Sequence, residues 1–134
     1  MATCETEYQF IGWTLLNTTA ISSIVSTRVY HGVRLDGTTL PAINYYKLAG
    51  GKRANGVERA VYTINCRAAD VATALKLASY VVDVFSGSYG TGTYGTNNGF
   101  TVARASVVRD NGLIIEPDAS SFNAPIDISV IYTK

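Results

Sequence analysis

Apolar residues recur at helical spacing in three stretches of the chain. Residues 5–17 predict a first helix, and residues 20–25 predict a second, shorter one. Residues 70–86 predict the main helix, because apolar residues repeat there at spacings of three and four between an N-capping Asp70 and a terminating Gly87. The side chains expected to face a sheet from this helix are Leu75, Ala78, Val82 and Phe85.

Alternation of apolar and polar residues with a period of two predicts strands. The clearest example is residues 57–68, which have one apolar and one polar face. The apolar face consists of Ala60, Tyr62, Ile64 and Cys66, and the polar face of Arg59, Thr63, Asn65 and Arg67. Further strands are predicted over residues 28–30, 41–48, 100–109 and 126–133. Asp110-Asn111-Gly112 predicts a type I′ hairpin turn, from which residues 113–115 return along the preceding strand.

This order of elements predicts an α+β fold. Strands that group around one strong helix indicate an antiparallel sheet packed against that main helix and the N-terminal helices, as a two-layer sandwich. The 134 residues fit a single domain, residues 1–134, because two halves would each be too small to bury a core. Within it, residues 1–7 are interpreted as a flexible N-terminal extension and residues 87–99 as a long glycine-rich loop.

Charge and composition narrow the classes of function. Eleven basic and ten acidic residues give a net charge of +1, so we expect DNA binding to be weak and non-specific. Only 16% of residues are charged, which favours a chain whose surface is partly covered by partners. No signal peptide and no membrane-spanning stretch is expected. Cys4 and Cys66 are predicted to be reduced thiols of a cytoplasmic setting.

Residues with catalytic potential do not form a recognisable site. Residues 90–95 spell G-x-G-x-x-G, but they follow a predicted helix and precede a strand, which is the reverse of a dinucleotide fingerprint. Gly51-Lys52 lacks the rest of a Walker A loop. His31 is the one histidine of the sequence, so no histidine-based metal cluster can form within one chain. We therefore predict no catalytic, cofactor-binding or metal-binding residues and no enzyme activity.

Two loops are predicted instead as contact devices. Residues 50–59 offer cations that could meet a carboxylate-bearing partner or line a DNA path, and residues 87–99 combine five glycines with tyrosines that give large contact area. The predicted partner or oligomer contacts are Lys52, Arg53, Arg59, Tyr89 and Tyr94. The alternative is that both loops are solvated and dispensable turns.

Six segments, in this order and spacing, carry a resemblance to a known family. They are residues 20–25, 28–30, 40–45, 59–68, 74–78 and 126–132. Together they resemble the tail-completion, or tail-terminator, family of long-tailed bacteriophages, over about residues 15–133. The loop after Gly87 and the N-terminal residues through Glu7 depart from the family pattern.

The resemblance implies a structural virion protein at the head–tail junction, assembled in the host cytoplasm. Such subunits are expected to form a homo-hexameric ring that caps the tail tube and joins it to the head-side connector, while DNA passes through without specific binding. A head-side neck adaptor and a monomeric phage accessory binding module are the alternatives. Neither a cofactor nor a membrane is implied.

Overall fold

The computed structural model of the chain describes residues 7–32, 39–52, 57–85, 101–115 and 121–133. The helices are α1 (Glu7–Asn17), α2 (Thr19–Val25) and α3 (Val71–Phe85). The strands are β1 (Val29–His31), β2 (Ala42–Lys52), β3 (Val57–Ala68), β4 (Thr101–Asp110), β5 (Ile114–Ile115) and β6 (Phe122–Thr133). The sequence prediction of α+β elements is therefore confirmed, and β3 has the predicted bounds.

The strands form one sheet in the order β1-β2-β3-β6-β4, and β5 also pairs with β6. β1 runs parallel to β2, whereas all other pairs are antiparallel, so the sheet is mixed. The helices cover one face of this sheet: α3 packs on β3, β6 and β4, and α1 contacts β1 and α2. The predicted two-layer sandwich is thus present, with one parallel pair that the sequence analysis did not predict.

The core lies between the helices and the sheet. Even-numbered residues of β3 and β6 face the helices, because directly paired residues of antiparallel strands share a face. Tyr62 pairs with Ile128 and Ile64 pairs with Ile126, and all four side chains are buried. Burying large aliphatic and aromatic side chains of this kind is the main favourable contribution to folding, at about 1.5–3 kcal/mol each.

The buried face of α3 differs from the predicted one. Its buried residues are Ala74, Leu77, Ala78, Val81 and Phe85. Leu75, predicted to face the sheet, is 46% exposed, and Val82 is only half-buried. The prediction was right for Ala78 and Phe85 and wrong for Leu75. Successive residues of an α-helix are about 100° apart around its axis, so the buried face is rotated by about 60° from the predicted face. Apolar residues occupy more than half of the helix circumference, and the small side chains of Ala74 and Ala78 let the helix approach the sheet.

The predicted hairpin at Asp110-Asn111-Gly112 is wrong. β4 and β5 both pair with β6 and run in the same direction, so β5 continues the edge strand instead of returning along it. The Gly112 N–H donates to Asp110 Oδ1 over 3.1 Å, and Gly112 has a φ of 71°. The chain therefore makes a local bend between two pairing segments of the same edge.

Pro125 explains why the edge strand bends at this point. The Asn111 N–H donates to the Pro125 carbonyl oxygen over 3.0 Å. Both backbone polar groups of a residue in an antiparallel strand point to the same neighbour, so the missing N–H of Pro125 faces the β4–β5 bend. No ladder bond to β3 is lost. This placement allows β6 to begin at Phe122, four residues before the strand predicted over residues 126–133.

A close contact between α1 and Tyr45 joins the helix layer to the sheet. The Tyr45 hydroxyl donates to the Tyr8 carbonyl oxygen over 2.9 Å. A Cβ on Gly12 would lie 2.6 Å from Tyr45 Oη, which is closer than real Cβ contacts. Glycine at position 12 is therefore required by the approach of the tyrosine, not by the backbone of the helix.

Candidate interaction surface

The ends of the two predicted contact loops lie at the same end of the sheet. Val57 and Thr101 both pair with Thr133, one on each side of β6. α3 begins soon after β3 ends and packs back over β3 and β6, which returns Phe85 toward the same end. The strand starts that follow residues 53–56 and 86–100 therefore lie at the same end of the sheet.

The five predicted contact residues are described to different extents. Lys52 lies at the end of β2, where its backbone pairs with Glu58. The Arg59 side chain is exposed. Arg53, Tyr89 and Tyr94 lie outside the described residues, so their part in an interaction stays a prediction.

Arg59 belongs to the sheet face that points away from the helices, which we call the open face. The odd-numbered residues of β3 and β6 define it, together with the residues of β2 and β4 that pair with them. Its polar and aromatic side chains include Asn44, Tyr46, Arg59, Thr63, Asn65, Arg67, Ser106, Arg109, Asn123, Asp127 and Ser129. No described element covers this face.

Hydrogen bonds between neighbouring strands order the open face. Asn123 Nδ2 donates to Asn65 Oδ1 over 2.9 Å, and Thr63 Oγ1 donates to Asp127 Oδ1 over 2.7 Å. The Asn44 side chain also donates through Nδ2 to the Gly32 carbonyl oxygen over 3.0 Å. Asn65, Asn123 and Thr63 are more than nine-tenths buried, although they lie on the polar side of the sheet. The network therefore holds a fixed array of polar groups in place.

Two arginines of β3 are held against the sheet by uncharged acceptors. Arg59 Nε donates to Ser129 Oγ over 2.9 Å, and Arg67 Nε donates to Asn44 Oδ1 over 3.1 Å. These bonds orient the two guanidinium groups along the sheet.

A shallow depression of about 710 Å³ lies on the open face. It is lined by Asn44, Tyr46, Thr63, Asn65, Arg67, Asn111, Ile114, Asn123, Pro125 and Asp127. Asn123 Oδ1 is buried there and has no hydrogen-bond partner among the described residues. A hydrogen-bond donor that docks in this depression finds an acceptor in Asn123 Oδ1. The bond would remove the cost of about 1–3 kcal/mol that a buried polar atom without a partner carries.

A second polar cluster lies under the N-terminus of α1. Lys47 Nζ donates to Glu7 Oε1 over 3.2 Å, and the Tyr62 hydroxyl contacts the same oxygen over 3.4 Å. Burial raises the pKa of Glu7, but its own backbone N–H, Lys47 and Tyr132 outweigh this effect and hold the pKa below 4.5. Glu7 is therefore a carboxylate whose partners fasten α1 to the sheet.

The buried hydroxyl and thiol groups are held in their protonated forms. Burial raises the pKa of Tyr45 to about 12, with a smaller effect from Tyr8. Burial also raises the pKa of Tyr62 and Tyr132, and nearby Glu7 adds to both shifts. Burial also raises the pKa of the Cys66 thiol, with Asp110 adding to the shift. A fully buried thiol of this kind is a poor nucleophile, since the thiolate is the reactive form.

Two features are absent from the described ranges, a cluster of metal ligands and a membrane-spanning helix. In those ranges, no three His, Cys, Asp or Glu side chains lie together as ligands of a metal ion. No helix there is both long and apolar enough to cross a membrane.

The outer edge of β4 is open along the part of the chain that the structure describes. β4 pairs with β6 on one side only and is the last strand in the order β1-β2-β3-β6-β4. Val108 on this strand is 53% exposed. An edge strand with unpaired backbone groups is a template for pairing with another strand.

Comparison with known proteins relates this fold to a virus-like particle. No family model matches the sequence, and no curated protein matches it significantly. Among solved structures, the chain is similar to a chain of the virion of the native gene transfer agent (GTA) particle. The two share 17% sequence identity, the TM-score is 0.58, and the match covers 91% of this chain and 90% of that chain. The chain therefore shares its fold, over nearly its whole length, with a protein of that virion.

Most of the open face could not be predicted from the sequence. The alternation in residues 57–68 did place Arg59 and Arg67 on one face of β3, which was the available signal. Arg109 could not be added, because a bulge between Val107 and Arg109 shifts the register of β4 against β6. Without that bulge, Arg109 would point to the helix side, since neighbouring strand residues alternate in direction.

Proposed function

We propose that the chain is a structural protein of a phage-like virion, and that it acts there as a tail terminator. In this role, six copies form a closed ring that caps the tail tube and joins it to the head-side connector. The observation that carries the proposal is the fold shared with a chain of the GTA virion over 91% of this chain and 90% of that chain. The resemblance of the sequence to tail terminators gives the narrower assignment.

Two features of the described surface support assembly into a ring. The outer edge of β4 is available for pairing with a neighbouring subunit. None of the described elements covers the open face of the sheet, although several of its polar groups are already buried and fixed. Head-to-tail contacts between unlike surfaces close into a ring when the rotation from one subunit to the next divides a full turn into equal parts, one for each subunit.

The test is assembly of the purified chain, alone and with purified tail tubes. Sedimentation analysis measures the mass of the free protein, and negative-stain electron microscopy shows whether rings sit on the tube ends. The proposal expects rings at one end of each tube and tubes that stop growing. Binding to the head-side connector without binding to tubes would instead identify a neck adaptor. A chain that stays monomeric and binds neither structure would refute the terminator role.

The loop of residues 87–99 offers a second experiment on the same role. Shortening residues 88–98 to a minimal turn is expected to leave the domain folded while abolishing ring formation or tail completion. A full-length control with Tyr89→Ser and Tyr94→Ser separates loss of the tyrosine contacts from loss of loop length. Normal, infectious particles from the shortened protein would show that this loop is a dispensable turn.

A further inference from the structure

The depression on the open face has a polar centre and apolar margins. Asn44 and Asn65 are directly paired across β2 and β3, and Pro125 pairs with Asn65 from β6. This row lies between the row of Tyr46 and the row of Ile114, which are four residues of β3 apart. At 3.3 Å per residue, the two outer rows are about 13 Å apart. Amides and a proline therefore form the floor, and side chains that are 38% and 47% exposed, those of Tyr46 and Ile114, stand at the margins.

The amides at the centre are held in place by hydrogen bonds within the chain. Asn123 Nδ2 donates to Asn65 Oδ1 over 2.9 Å, and Asn44 Nδ2 donates to the Gly32 carbonyl oxygen over 3.0 Å. All three asparagines are more than nine-tenths buried. Asn123 Oδ1 lies in the depression and has no hydrogen-bond partner among the described residues. A ligand would therefore meet amides that are already ordered, which lowers the entropy cost of binding.

The described lining favours an uncharged ligand that is rich in hydroxyl groups. Its charged residues are Arg67 and Asp127, whose formal charges are opposite. Each side-chain amide offers N–H donors beside a carbonyl acceptor, and a hydroxyl group also both donates and accepts. Neighbouring hydroxyl groups of a sugar can therefore pair with these amides, while the C–H groups of the sugar ring can pack on the ring of Tyr46. The volume of about 710 Å³ lies within the range of about 300–1,000 Å³ that is usual for small-molecule sites.

We propose that this depression binds a neutral oligosaccharide, whose hydroxyl groups contact the asparagine amides and whose ring stacks on Tyr46. A protein partner is a poorer match, because protein interfaces have an apolar centre and a polar rim. The depression has the reverse order, with amides at its centre and exposed apolar side chains at its margins. This binding goes beyond the proposed structural role. It does not require ring formation and can be measured on the free chain.

The test is an array of neutral and acidic oligosaccharides, built from hexoses and N-acetylhexosamines, that is probed with the full chain. Each neutral oligosaccharide that binds is then titrated into ¹⁵N-labelled protein, and NMR follows the side-chain amide signals. The proposal expects saturable shifts of the amides that line the depression, those of Asn44, Asn65, Asn111 and Asn123. The amide of Asn17, at the end of α1, should not shift. Binding of acidic oligosaccharides alone, no binding at all, or shifts confined to other residues would overturn the proposal.

Matched variants assign the binding to the depression. Tyr46→Ala removes the ring at its margin and Asn111→Ala removes a half-buried amide, and each is expected to weaken binding about 2- to 10-fold. Tyr46→Phe keeps the ring, so it should weaken binding less than Tyr46→Ala does. Tyr8→Ala is the control, because Tyr8 is 37% exposed on the helix side of the sheet and its loss should leave the affinity unchanged. A urea denaturation curve of each variant confirms that it is folded.

Two results would contradict this assignment. If Tyr8→Ala weakened binding as much as Tyr46→Ala, the oligosaccharide would not be bound by the open face. If a neutral peptide of glycine, serine and asparagine shifted the same amides more strongly than any oligosaccharide, the depression would be a site for a protein segment. Failure of oligosaccharide binding would leave ring formation on tail tubes unaffected, so the two proposals can fail separately.

Discussion

The contact between α1 and the sheet at Gly12 allows a sharp test of the packing. Tyr45 donates to the Tyr8 carbonyl oxygen, which is also the α-helical acceptor for the Gly12 N–H. A Cβ on residue 12 would lie 2.6 Å from Tyr45 Oη, so Gly12→Ala must displace the hydroxyl. The tyrosine is only 5% exposed, which leaves little room for it to move aside.

The expected effect is a balance of opposing contributions. Alanine is preferred over glycine in a helix interior by about 0.8–1 kcal/mol. Overpacking of a filled site costs about 1–3 kcal/mol, and loss of the tyrosine hydrogen bond costs about 1 kcal/mol more. We therefore expect Gly12→Ala to lower the free energy of unfolding by about 1–3 kcal/mol, although the same change stabilises most helices.

A double-mutant cycle isolates the cause. Tyr45→Phe removes the oxygen, and the nearest remaining atom, Cζ, would lie 3.5 Å from the new Cβ, which is an ordinary contact. In that background, Gly12→Ala should raise the free energy of unfolding by up to about 1 kcal/mol. Urea denaturation of the four proteins, with equal m-values, measures the coupling. An equal effect of Gly12→Ala in both backgrounds would show that Tyr45 does not occupy the space beside Gly12.

Three further changes test other parts of the fold. Leu77→Ala should lower the free energy of unfolding by about 2–5 kcal/mol, because Leu77 is buried. Leu75→Ala on the exposed side should lower it by less than about 1 kcal/mol. Equal urea midpoints of the two variants would show that the face predicted from the sequence is the buried one. Gly112→Ala should lower the free energy of unfolding by about 1 kcal/mol, because Gly112 has a φ of 71°. Gly51 has open space around it and no positive φ, so Gly51→Ala should hardly change thermal unfolding. Equal effects of the two substitutions would show that Gly112 does not adopt the positive φ of the bend. Glu7 has a folded pKa below its ordinary value of 4.5, so its stabilising contribution is complete above pH 4.5 and is lost as the pH falls through the folded pKa. The stability difference between the wild type and Glu7→Gln should therefore shrink on acidification, and a difference that stays constant from about pH 3 to 7 would contradict this.

Local patterns in the sequence determined the types of element and the position of the core. The alternation in residues 57–68 predicted β3 with its bounds, because one side of this strand is buried and the other is polar. Asp70 was predicted as the N-cap of α3, and its Oδ2 accepts the Thr73 N–H over 2.9 Å. Signals of this kind depend on a few neighbouring residues, so they can be recognised without knowing the fold.

Three features depend on tertiary contacts: the buried face of α3, the bend of the edge strand and the set of arginines that share a face. Leu75 and Leu77 are equally apolar, and packing against the sheet chose Leu77. Asp110-Asn111-Gly112 suits a hairpin, but pairing of both β4 and β5 with β6 made it a bend. Arg109 joins Arg59 on the open face because a bulge shifts its register against a strand that is distant in the sequence. Each outcome depends on contacts between residues far apart in the chain. A local sequence pattern fits several packing partners and does not specify which of them it meets in the fold.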